Sequence, residues 1–151
     1  MTRVSWASLK FLLLWQAPAA TVLLLARLAV LLVPFRSIIR YSGARPSKHA
    51  VVLLPTNGQQ TDKARHTGKV IARARRILPL EINCFPQALT AIFMLRLRKA
   101  PYSLFFGVRR DGDAFKAHAW VCCGHTIVCG GNGHSEFRII STYIHEPKAS
   151  F

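Results

Sequence analysis

The sequence predicts an α+β domain in which N-terminal helices pack on one side of a small antiparallel sheet. Through the first hundred positions the apolar residues gather in blocks bounded by Pro, Gly and charge, at helical spacing. Beyond Pro101 the texture changes to short β-rich runs separated by glycine-bearing turns. Helices first and strands last is the order of an α+β chain. The 151 residues, 51% of them apolar, fit one domain that buries roughly 68–70% of its unfolded surface. Within it we distinguish an apolar and basic helical region (1–43), a connector (44–62) and a core (63–146).

Taken in order, the stretch from Leu9 to Val33 is strongly apolar but interrupted by Lys10, Gln16, Pro18 and Arg27. No uncharged run reaches the roughly 18 residues of a spanning helix, so a pair of buried or surface-lying helices is expected. Phe35 to Gly43 reads as a short basic helix stopped by Gly43. From Ala44 to Asp62 the prolines and Asn57-Gly58 predict a loop with a short apolar segment at 51–54. Lys63 to Ile77 is a basic helix ended by Pro79. The next helix begins near Cys84, with Asn83 as N-cap, Pro86 in the first turn and Arg96, Arg98 and Lys99 at its C-terminal end. Strands follow at 102–108, 115–123, 126–129 and 137–143, and a simple antiparallel meander joins them.

Twenty-one Lys and Arg against six Asp and Glu give a formal charge of +15, a field that draws acidic partners without naming one. The basic residues are scattered and carry no nucleic-acid-binding signature, so nucleic acid is not an expected partner. Peripheral membrane contact through the N-terminal helices stays open. Cysteines at 84, 122, 123 and 129 include two neighbours, a poor geometry for a disulfide framework and one suited to a reducing cytoplasm. Cys122, Cys123, Cys129, His125 and His134 raise a zinc site, but no Cys-x-x-Cys pair exists and strand neighbours point to opposite faces. No metal or cofactor is expected.

Two residues carry the chemistry. A cysteine at a helix start, as Cys84 is placed, meets free N–H groups and the positive end of the helix dipole, which favour negative charge on sulfur and face an oxyanion formed beside it. His118 lies mid-strand in Ala117-His118-Ala119-Trp120-Val121, sharing a face with Trp120 and Cys122 by alternation. Trp120 and Phe137 are assigned to the core. A helix-capping Cys, followed later by strands that carry His next to Trp, is the order of papain-like and transglutaminase-like folds. That reading requires sulfur and imidazole to meet.

The segments Asn83-Cys84-Phe85-Pro86-Gln87-Ala88-Leu89, Phe106-Gly107-Val108-Arg109-Arg110 and Phe115-Lys116-Ala117-His118-Ala119-Trp120-Val121 closely resemble the lasso-peptide leader peptidases, a transglutaminase-like branch of cysteine proteases. Leu32-Val33-Pro34-Phe35-Arg36 resembles that family's helical N-terminal region, so the likeness spans most of the chain. It implies removal of a leader peptide from a ribosomally made precursor, before an asparagine-synthetase-like cyclase closes the ring. The sequence opens on the peptidase helices, so the resemblance also implies a separate leader-binding protein as partner.

The family completes its triad with an Asp on the strand after the His hairpin, and this sequence has no Asp beyond Asp113. A hairpin turning at Gly124-His125 places Gly131 opposite His118, and a three-residue loop places Gly130 there; neither has a side chain to orient an imidazole. Asn132 is the nearest polar candidate for third catalytic member and Glu136 the second choice, with a bare Cys–His dyad as the other possibility. Two further readings stand beside the peptidase: a transglutaminase-like acyl transferase, and a non-catalytic basic module that docks on membrane or acidic protein.

Overall fold

A computed structural model describes residues 17–78 and 82–147. The Leu9–Gln16 part of the first apolar block, and Pro79 as the stop of the basic helix, lie outside the described residues. Helix α1 (Ala17–Leu32) takes up the rest of that block. It buries Ala19, Leu23 and Ala26, one stripe at i, i+4 and i+7, against the helices that follow in the chain. Among the described residues no helix is long and apolar enough to cross a membrane. Helix α2 (Phe35–Ser42) ends as expected at Gly43, which adopts the left-handed conformation.

Helix α3 (Gly58–Ile77) starts earlier than its composition predicts. Asn57-Gly58 is a helix start and not a loop turn: Asn57 Oδ1 accepts from the Gln60 N–H at 2.8 Å while Gln60 Oε1 accepts from the Asn57 N–H at 3.1 Å. This reciprocal capping box satisfies two helix-end donors, and it moves the last five residues of the expected connector into the helix. Helix α4 (Cys84–Leu97) is apolar nearly all round and is correspondingly enclosed, burying Ala88, Leu89, Ala91, Ile92 and Leu95. At its far end Arg96 Nη1 donates to Tyr41 O and Ser42 O at 3.0 and 2.6 Å, a cation serving the carbonyls that close α2, the second of which also accepts from the Tyr102 hydroxyl at 3.1 Å.

The strands are β1 (Arg45–Pro46), β2 (Tyr102–Asp111), β3 (Ala114–Cys123), β4 (Thr126–Cys129) and β5 (Arg138–His145). They form one antiparallel sheet in the order β1-β5-β2-β3-β4. The expected meander is therefore corrected at its last step. β5 does not continue beside β4 but returns past β3 to pair with β2, with Leu104 opposite Tyr143 and Phe106 opposite Ser141. The reason is burial: β2 has one neighbour in the β2–β3 hairpin, and a second strand satisfies its remaining backbone groups.

One face of the sheet, with Leu104, Ala119, Val121 and Cys123, packs under the helices in a core shared with Leu23, Ile71 and Leu95. Burying each large aliphatic side chain there contributes about 1.5–3 kcal/mol. The layer is close because α3 has Gly68 over β4: a Cβ at that position would stand 2.7 Å from the Val128 carbonyl oxygen. The opposite face carries a smaller cluster of Phe105, Trp120 and Cys122, with Phe137 and Ile139 packed on it.

Candidate functional site

The start of α4 and the outer edge of β3 meet at a cleft of about 980 Å³. Cys84 stands at the first helical position, half-buried, its neighbour Phe85 packed against the main core. Asn83 occupies the N-cap with extended backbone as expected, but its side chain makes no capping bond. A cap side chain bonds the N–H of the second or third helical residue, and here the third is Pro86, which has none. Gln87 does the fastening instead. Its amide Nε2 donates to Ile82 O at 2.7 Å and to Asn83 O at 3.3 Å, tying the segment that leads into Cys84 back onto the first turn.

His118 pairs with Gly107 in the β2–β3 ladder. Its ring stacks on Trp120 (centroids 5.9 Å apart, 24° between planes) and leans on Phe137 (4.9 Å, 35°), so it belongs to the Trp120 face as alternation predicts. It reaches the cleft because β4 pairs only with Val121–Cys123, which leaves the edge of β3 before Val121 without a β4 partner. The hairpin turns at Gly124-His125, with Cys123 opposite Thr126, but a bulge at Val121/Cys122 advances the register by one, so Val121 faces Cys129. The chain leaving β4 then crosses the β3 edge, and His118 Nε2 lies 2.7 Å from the carbonyl oxygen of Gly130.

Cys84, His118 and Asn132 all line this one cleft. Among the described residues no hydrogen bond joins Cys84 to His118, and the exposed Asn132 side chain makes none to the ring. The carboxylate of Glu136, the second choice for a third member, is paired with Arg109. Gly130, which has no side chain to offer the imidazole, meets it through its main-chain carbonyl. The fastening role of Gln87 and the carbonyl of Gly130 were both missed by sequence reasoning. The first had a signal in a polar residue three positions into an otherwise apolar helix; the second had none.

The remaining thiols are of another kind. Burial pushes Cys122 and Cys123 up to about 11. Cys129, which lines the cleft, is pushed up to about 12, chiefly by burial and further by Cys122 and Cys84, with the Val121 backbone hydrogen bond opposing. Among the described residues no group of three or more His, Cys, Asp or Glu side chains is placed to hold a metal ion. The cleft wall on α3 carries Arg75 and Arg76, and among the described residues no carboxylate lines the cavity.

The sequence profile described as "Transglutaminase-like superfamily" matches residues 29–142, from within α1 to within β5. The chain belongs to the transglutaminase-like superfamily. No curated protein and no solved structure matches it. Members of the transglutaminase-like superfamily are typically cysteine peptidases or acyl transferases, and the α+β architecture with its helices on one sheet face is that of a transglutaminase-like domain.

Proposed function

We propose that this chain is a cysteine peptidase that removes the leader from a ribosomally synthesised lasso-peptide precursor before macrocyclisation, with Cys84 as nucleophile and His118 as base. The observation that carries the reading is the shared cleft: the first residue of α4 and the edge histidine of β3 open onto the same cavity. The family match supports the class of chemistry, and the likeness of segments 83–89, 106–110 and 115–121 to leader peptidases supports the substrate. The cationic α3 wall suits a peptide segment bearing carboxylates.

In this reading His118 accepts the Cys84 Sγ proton as sulfur adds to the scissile carbonyl carbon. The resulting oxyanion lies at the N-terminus of α4, within the field of its main-chain N–H groups. Collapse breaks the C–N bond, and the imidazolium returns its proton to the leaving amine. A thioester remains on Cys84. Water then attacks it, giving its proton to His118, and the second collapse releases the acid and restores the thiol. Sulfur and imidazole need not be bonded in the free protein, since catalytic hydrogen bonds tighten in the substrate complex.

The leader-binding protein and the cyclase are partners in this reading, one delivering the precursor and the other consuming the trimmed product. Incubating the protein with precursor and leader-binding protein, then measuring fragment masses, tests it. The expected result is two fragments whose masses sum to precursor plus one water, and intact precursor with Cys84→Ala or His118→Ala. Intact precursor in the unsubstituted reaction, or cleavage that survives Cys84→Ala, overturns it.

A further inference from the structure

Resting on the Cys84–His118 reading, we infer that the main-chain carbonyl of Gly130 is the orienting group of His118, fixing the tautomer that leaves Nδ1 to take the proton. A carbonyl oxygen can only accept, so the 2.7 Å contact requires Nε2 to carry hydrogen. The neutral ring then has its lone pair at Nδ1. When the ring becomes imidazolium the Nε2–H donor is still in place, so the bond holds through both protonation states.

The position is built for this contact. Gly130 has φ +74°, and a Cβ there would stand 2.4 Å from Ala119 O and 2.8 Å from Trp120 Cα, so only glycine lets the chain lie this close on the β3 edge. Trp120 stacks on the imidazole and Phe137 leans against it, contacts that restrain ring rotation. The rival acceptors are elsewhere: Glu136 is held by Arg109, and the Gly131 carbonyl is taken by His134 Nδ1 at 2.6 Å. Gly130 is thus a positioning residue, standing through its backbone where a carboxylate side chain stands in a conventional triad. A neutral acceptor orients the ring as a carboxylate does but offers the imidazolium less charge stabilisation.

Nitrogen-15 NMR of the full chain labelled at histidine tests this without any substitution. The expected His118 spectrum shows hydrogen on Nε2, slow to exchange with water, and a bare Nδ1. Asn132→Ala keeps that signature and lowers cleavage less than Gly130→Ala does. Gly130→Ala, where it folds, loses the slow-exchanging signal and lowers kcat about 10- to 100-fold with KM little changed, the scale of a misplaced catalytic group. Hydrogen on Nδ1 in the unsubstituted protein, or loss of the signature in Asn132→Ala, overturns the assignment to Gly130. Cleavage surviving Cys84→Ala would instead overturn the catalytic reading on which it rests, whatever the spectrum shows.

Discussion

Replacing Gln87 by alanine removes the two bonds by which the first turn of α4 holds the chain that enters it. One of them, 2.7 Å to Ile82 O, serves a residue only 5% exposed; the other, 3.3 Å to Asn83 O, is longer and lies at the surface. A neutral hydrogen bond nets about 1 kcal/mol, and the weaker one less, so Gln87→Ala is expected to cost about 1–2 kcal/mol. For a chain of this length that lowers Tm by about 2–8 °C. Against a total stability of about 5–15 kcal/mol the variant remains folded at 25 °C, so lost activity there reports position and not unfolding. A displacement of Cys84 near 1 Å costs about 10²-fold in kcat. Thermal unfolding and precursor cleavage measured side by side check both numbers. Gln87→Glu is expected to do worse, since a carboxylate facing two carbonyl oxygens is repelled. If Gln87→Ala kept both its Tm and its kcat, the argument that this amide fixes the entry to Cys84 would be refuted.

Burial holds Cys122, Cys123 and Cys129 well above the ordinary thiol range, so one equivalent of iodoacetamide near neutral pH is expected to label Cys84 first. Peptide mapping reads the order, and equal labelling of all four thiols would contradict it. Stability is expected to fall on acidification through His66. Arg98 Nη2 lies 3.0 Å from its Nδ1 and must donate, so the folded ring is neutral there. Burial first, then Arg98 and Lys69, hold its pKa below the ordinary 6.5. The unfolded state therefore binds the proton more readily: the contribution is complete above 6.5 and is lost as pH falls toward the lower folded value. Urea midpoints across that range should decline less in His66→Gln than in the unsubstituted chain, and parallel declines would dismiss the linkage.

The helices and strands were legible because their signals are local. Arg40-Tyr41-Ser42-Gly43 ends a helix by a conformation that glycine alone adopts freely, and the alternation around Trp120 put His118 on the face it occupies. Asn57-Gly58 misled because the same two residues serve turns and helix starts, and only the reciprocal bond with Gln60 decides between them. The place of β5 was illegible for a different reason. Its partner β2 lies some thirty residues earlier, and no local pattern separates pairing with β2 from pairing with β4. At the candidate site, side-chain chemistry and spacing singled out Cys84 and His118, which line one cleft. Gly130 escaped because its contribution is a carbonyl that every residue possesses, aimed by a one-residue bulge that shifts the register after an otherwise ordinary turn.

The sheet order carries a consequence for how the molecule comes into being. The last strand among the described residues, β5, lies between β1 and β2, not at a rim. During synthesis the earlier strands wait with an open slot until His145 has left the ribosome, and closing it joins positions about a hundred residues apart, such as Arg45 and Ile144. Pairings of that span form slowly because the loop entropy is lost before the contacts compensate it. A transcript cut short before β5 would leave β2 with a bare edge, inviting strand addition between unfinished chains.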